Sequence, residues 1–154
     1  MENLWGNLND VDDFKVAKSI LDEQALFIAK MTKNTLYAEV LIDNSYKDEI
    51  LDTHDKNFFY KLVIRSEYLN HYEFKVLTIK HDLLQYPLEI SLPNEIGEDL
   101  SKNPDVSDKL TYSPIVDYCL VANSEQEFID YLGHILKSKN LMQIIKALYK
   151  MSDF

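Results

Sequence analysis

Between Phe58 and Leu92, three consecutive runs place apolar residues on every second position. The first, FFYKLVIR, sets Phe58, Tyr60, Leu62 and Ile64 on one side. The second, YEFKVLTIKHD, does the same with Tyr72, Phe74, Val76 and Thr78. The third, LLQYPLEISL, repeats it with Leu84, Tyr86, Leu88, Ile90 and Leu92. Successive side chains of a strand point to opposite faces, so a period of two means strands with one buried face. Short polar breaks between the runs predict an antiparallel meander at the centre of the fold. Pro87 cannot donate to a ladder, which predicts an edge strand or a bulge in the third run.

The flanking segments complete an α+β expectation. Ser19 to Asn34 reads as a helix, with Ser19 as N-cap (or a start nearer Asp13), Asp22 and Glu23 in the first turn, and Asn34 suited to a left-handed C-cap. Ile20, Leu21, Phe27, Ile28 and Met31 form its apolar stripe. Thr35 to Ile42 alternates Leu36, Ala38, Val40 and Ile42 inward as a first strand, and Asp43 to Asn57 is a charged connection. Ser124 and Glu127 make a capping box before Phe128, Ile129, Leu132, Ile135 and Leu136. After a break at Ser138 to Asn140, the pattern resumes with Leu141, Ile144, Ile145, Leu148 and Tyr149, as a helical hairpin or one kinked helix. Ile115 to Val121 is a fifth strand or a lead-in to these helices. The expected fold is a mainly antiparallel sheet of four to five strands, packed by an N-terminal helix and two C-terminal helices. Leu62, Ile64, Phe74, Val76, Leu88 and Ile90 are its predicted core.

At 154 residues the chain has the length of one domain able to bury a core without metals or disulfides. Cys119 is its single cysteine, and the start MENLWGNLNDVDD has no secretory pattern. With no apolar run long enough to span a bilayer, the expected location is cytoplasmic. Glycine is scarce, Arg65 is the sole arginine, and lysine, asparagine, isoleucine and tyrosine dominate, a usage that fits an AT-rich bacterial or phage genome. In residues 1 to 15, Asp10, Asp12 and Asp13 suit a lone helix start or an exposed arm, and Trp5 is expected to pin that arm onto the body.

A formal net charge of −10 repels phosphate backbones and anionic membranes and steers a basic protein towards the surface. Pro93 to Pro114 holds Glu95, Glu98, Asp99, Asp105 and Asp108 beside Tyr112. That segment has no clear period and reads as an acidic loop, with at most a helical turn near Ile96 to Leu100. It is expected to be mobile, and its five carboxylates and Tyr112 form the candidate protein-binding surface.

Catalytic patterns are sparse. Three isolated glycines exclude a phosphate-binding loop or dinucleotide fingerprint. Asp52, His54 and Asp55 could offer ligands on a loop, yet no partner ligands stand at supporting spacing. His81-Asp82 matches the dipeptide of metal-dependent phosphohydrolases but ends a strand, and His71-Tyr72-Glu73 lacks the cysteine pair of zinc deaminases. Cys119 would need His81 or His134 as base, and it sits in an apolar run that favours an inert thiol. No cofactor, metal or catalytic residue is implied. Two readings remain. One is a non-enzymatic acidic interaction or inhibitor protein, of the size and charge of immunity-type and anti-defence proteins. The other is a small-molecule-binding domain or enzyme whose site is assembled on the sheet face.

Overall fold

A computed structural model describes residues 1–43, 57–115 and 117–152. Among them the chain forms four α-helices, α1 (Ala17–Met31), α2 (Asn94–Ser101), α3 (Glu125–Leu136) and α4 (Lys139–Met151). The strands are β1 (Leu36–Ile42), β2 (Phe58–Ser66), β3 (Phe74–His81), β4 (Leu88–Leu92), β5 (Thr111–Ser113) and β6 (Asp117–Ala122). They make one six-stranded antiparallel sheet in the order β1-β2-β3-β4-β6-β5. The α+β architecture is the one the periodicity implies, with a sixth strand at the edge. The charged connection at 44–56, including Asp52, His54 and Asp55, lies outside the described residues.

Register explains which side chains are buried. Ala38 pairs with Ile64, Val40 with Leu62, Leu62 with Leu77 and Ile79 with Ile90, so all of these share one face. α1, α3 and α4 cover that face: Ala25, Ile28, Leu136, Leu141 and Ile145 line a space floored by Leu62, Ile64 and Val76. Of the predicted core, Leu62, Ile64, Val76, Leu88 and Ile90 are buried, and Phe74 packs half-buried against them. The parity reading of β3 fails beyond Val76. A bulge shifts the register between Leu62↔Leu77 and Val63↔Lys75, leaving Val76 as the extra residue. Leu77 and Ile79 therefore face the helices, and Thr78 points to the opposite face, in register with Ser91 and Cys119.

Two further expectations are corrected. β4 begins at Leu88, after Pro87, and lies between β3 and β6 rather than at an edge, and Leu84 is exposed. Proline marks the start of this strand instead of distorting its middle. The first helix begins at Ala17, with Val16 in the cap position and no local side-chain cap. Its leading amide is satisfied from a distance, Ala17 N–H donating to Oε1 of the buried Gln85 at 2.9 Å. At the other end the helix stops at Met31 with Thr32 as C-cap, short of the expected Asn34, which follows with Lys33 in left-handed conformation, φ 64° and 51°.

α3 and α4 are separate helices, each started by a serine. Ser124 Oγ accepts from Glu127 N–H at 3.2 Å, and Ser138 Oγ accepts from Leu141 N–H at 3.4 Å. The end of α4 is clasped to the sheet where Ser66 Oγ and Ser152 Oγ, both buried, lie 2.6 Å apart.

Candidate functional site: the docked acidic segment

The segment between Pro93 and Pro114 is built differently from the expected loop. Ile96 and Leu100 stand four residues apart, the spacing of one helix face, and both are buried in α2. Pro93 occupies the cap position, where a missing N–H is harmless. Val106 is buried one turn beyond, and Thr111–Ser113 joins the sheet edge through β6. The segment is thus anchored by three buried apolar side chains and a strand pairing, which removes the basis for expecting it to be mobile.

Gly97 fixes how close α2 can lie to the sheet. A Cβ at this position would overlap the ring of Tyr118, so the ring packs directly against the helix backbone. Tyr112, opposite Tyr118 in the β5–β6 pairing, tilts against that ring with centroids 5.1 Å apart and stays 62% exposed. Neighbouring Ile115 is also exposed.

The five carboxylates separate into two roles. Asp99 is turned into the protein: its Oδ2 accepts from Ser138 Oγ at 2.5 Å and from Asn140 N–H at 2.6 Å. Both donors lie at the start of α4, where unpaired amides and the positive end of the dipole favour an anion. Asn140 Nδ2 also donates to the Glu95 carbonyl at 2.8 Å. Glu95, Glu98, Asp105 and Asp108 are exposed and make no ion pair among the described residues. The sheet's outer face differs. There Arg65 bridges Glu73 at 2.7 Å and Glu39 at 3.6 Å, Lys61 joins Glu73 at 3.2 Å, and Lys80 lies 3.9 Å from Glu89. Glu39, Glu73 and Glu89 are thus neutralised locally, whereas the four exposed carboxylates of the docked segment are not.

No family model, curated protein or solved structure matches this chain.

Beside the segment, an open cleft of about 480 Å³ runs along α3. Asp105, Lys109, Asp130, Tyr131, His134 and Lys137 contribute to it. Asn103 donates its amide to His134 Nδ1 at 3.3 Å, and Lys109 Nζ stands 6.0 Å from the Tyr131 ring centre. Burial pushes the Tyr131 hydroxyl above its ordinary pKa. Sequence reading did not single out this cleft, although Asp130, His134 and Lys137 repeat at helical spacing along α3 and carried a usable signal.

The other candidates are dispersed. His81 is buried, its ring near Phe58 and Tyr60 at 5.8 and 5.9 Å, and its Nδ1 lies 2.7 Å from the Asp82 carbonyl. Asp82 instead accepts from Leu84 N–H at 2.9 Å, so the dipeptide does not converge as a ligand pair. Cys119 is half-buried on the sheet face opposite His81, and burial, with the charge of Glu89, pushes its thiol up. A thiol held protonated is a poor nucleophile. Among the described residues, no three His, Cys, Asp or Glu side chains gather as a metal set. No helix there is long and apolar enough to cross a membrane.

Proposed function

We propose that this protein is a non-enzymatic interaction or inhibitor module that binds a basic protein partner through Glu95, Glu98, Asp105 and Asp108, with Tyr112 as an aromatic contact. The observation that carries this reading is the contrast between unpaired carboxylates on a docked segment and ion-paired carboxylates on the sheet. Unpaired charges on a fixed support lose little conformational freedom when a cationic surface arrives, and their field raises the encounter rate. Tyr112 supplies apolar area with a polar edge, a combination enriched at interfaces. Asp99, held by Ser138 and Asn140, acts as scaffold in this reading and not as a contact.

The test uses a variant carrying Glu95→Gln, Glu98→Gln, Asp105→Asn and Asp108→Asn, with Asp99 left intact. Partners captured from the source cell are compared between the native protein and this variant, and the association rate is measured against salt. The native on-rate should fall steeply as the Debye length shortens to about 8 Å and below. The variant should associate slowly at all salt concentrations, with unchanged thermal stability. Equal on-rates and equal salt slopes for the two proteins would remove these carboxylates as the site.

A further inference from the structure

The residues preceding α1 do not pack on the body. Every residue from Met1 to Val16 is exposed, among them Leu4, Trp5 (88%), Leu8 (89%), Val11 and Phe14. Trp5 was expected to pin this arm and does not. The arm has local shape: Asn3 Oδ1 accepts from Trp5 N–H at 3.0 Å, and Asn7 Oδ1 accepts from Asn9 N–H at 2.9 Å at the head of a 3-10 turn, Leu8–Asp10. So many large apolar groups held in water mark an unfilled contact.

A receptor for such groups exists on the same chain. Between α1 and α4, over the sheet, lies an apolar groove of about 230 Å³, floored by Leu62, Ile64 and Val76 and opening beside Phe27 and Met31. An apolar cavity of roughly 150 Å³ accepts benzene, so this space suits an indole. The single charged side chain in the groove lining is a lysine, and the α4 wall belongs to a stretch without acid. Residues 131 to 152 contain Lys137, Lys139, Lys146 and Lys150 and no carboxylate. Lys137 lines the groove, and Lys30 Nζ stands 5.3 Å from the Phe27 ring centre at its mouth. The arm has the complementary charge, with Glu2, Asp10, Asp12 and Asp13 against Lys15, itself paired with Glu23.

We propose that the arm docks into the α1–α4 groove of a second copy of this chain, Trp5 entering the apolar space and the arm's aspartates meeting the lysine rim. Docking in cis is opposed by the exit geometry. Gln85 pins the Ala17 amide, Val16 leaves extended at φ −71° and ψ 149°, and the groove lies along the C-terminal half of α1. Return to it requires the arm to reverse and be held folded back, an ordering cost that entry into a second copy avoids. Reciprocal exchange closes a two-fold dimer. With about 150–250 Å² for each large aromatic, Trp5 and Phe14 of two arms together with the surface they cover bury about 1,200–2,000 Å², within the range of specific interfaces. This surface is distinct from the acidic segment, so either proposal can fail alone.

Trp5 is the sole tryptophan, and its emission reports docking directly. Sedimentation velocity of the full chain over a concentration series, with tryptophan emission recorded on the same samples, is the experiment. A mass that doubles with concentration, together with a blue shift over the same range, is expected. Trp5→Ser with Leu8→Ser changes only exposed residues and should weaken self-association at least about 30-fold. Lys30→Glu with Lys137→Glu should weaken it too, and adding Asp10→Lys and Asp12→Lys should restore it. Three results would each overturn the proposal: a monomer with red emission throughout, a monomer with blue emission at every dilution, or a dimer that persists in the Trp5/Leu8 variant.

Discussion

Removing the Asp99 carboxylate tests whether the acidic segment is docked through α4. Asp99→Ala deletes two hydrogen bonds to an ionised acceptor, from Ser138 Oγ and Asn140 N–H. Bonds of this kind contribute about 1.5–3 kcal/mol each, and the loss of a helix cap costs about 0.5–2 kcal/mol. The two bonds share one carboxylate and are not additive, so the expected loss is about 2–4 kcal/mol. In a domain of this size that lowers the melting temperature by roughly 5–12 °C. Urea denaturation followed by circular dichroism gives the free energy, and calorimetry gives the melting shift. Exposed Glu98→Ala, one residue away, should stay within about 0.5 kcal/mol of the native protein. Crossing Asp99→Ala with Ser138→Ala should show a coupling of at least about 1 kcal/mol. If Asp99→Ala is as stable as the native protein, or if the two substitutions simply add, the carboxylate does not hold the segment, and the division into scaffold and free acid collapses.

Gly97→Ala should destabilise by about 1–3 kcal/mol, because the new methyl group overlaps the Tyr118 ring; a urea midpoint equal to native would contradict that packing. Among the described residues the buried Tyr86 hydroxyl has no partner, and its pKa is pushed up to about 12 by burial and by Glu125. The folded state holds this proton more tightly than the unfolded chain, so stability is full below pH 10 and declines between about pH 10 and 12. Tyr86→Phe should flatten that alkaline decline and leave neutral-pH stability equal or slightly higher; an unchanged pH profile in denaturant melts would exclude Tyr86 as its source. Val76→Asp places an unpaired charge in the core and should cost about 3–5 kcal/mol, read as loss of cooperative unfolding or of soluble expression.

Long periodic segments are readable because one face of each strand meets the helices. The core positions of β2 and β4 follow from alternation, as do Leu36, Ala38 and Val40 of β1. Ile42, by contrast, is exposed, and Val63 and Thr78 are buried on the other face. β3 does not follow from it, since Val76, Leu77 and Ile79 are all apolar and both parities look plausible; only the pairing with β2 reveals the bulge. The acidic segment reads as a loop with at most one helical turn because its prolines and carboxylates mask how far the four-residue spacing of Ile96 and Leu100 extends into a buried helix. The role of Asp99 had no local signature, as its partners lie about 40 residues away on α4. The start of α1 falls between Asp13 and Ser19 without a local cap for a similar reason, its leading amide being satisfied by Gln85, 68 residues on. Trp5 illustrates another limit: a terminal tryptophan looks alike in sequence whether it packs on its own body or stands free.

The clasp between Ser66 and Ser152 has a bearing on how the chain folds. It joins residues 86 positions apart, as the Gln85–Ala17 bond joins residues 68 apart. Such non-local closure must be completed before its reward is felt, which slows folding relative to a helical protein of equal size. During synthesis, β1 to β3 emerge long before α4, so Leu62, Ile64 and Val76 wait in water for the helix that finally covers them. That interval leaves an apolar sheet open to wrong partners, and a chaperone that holds it should raise the yield of native protein.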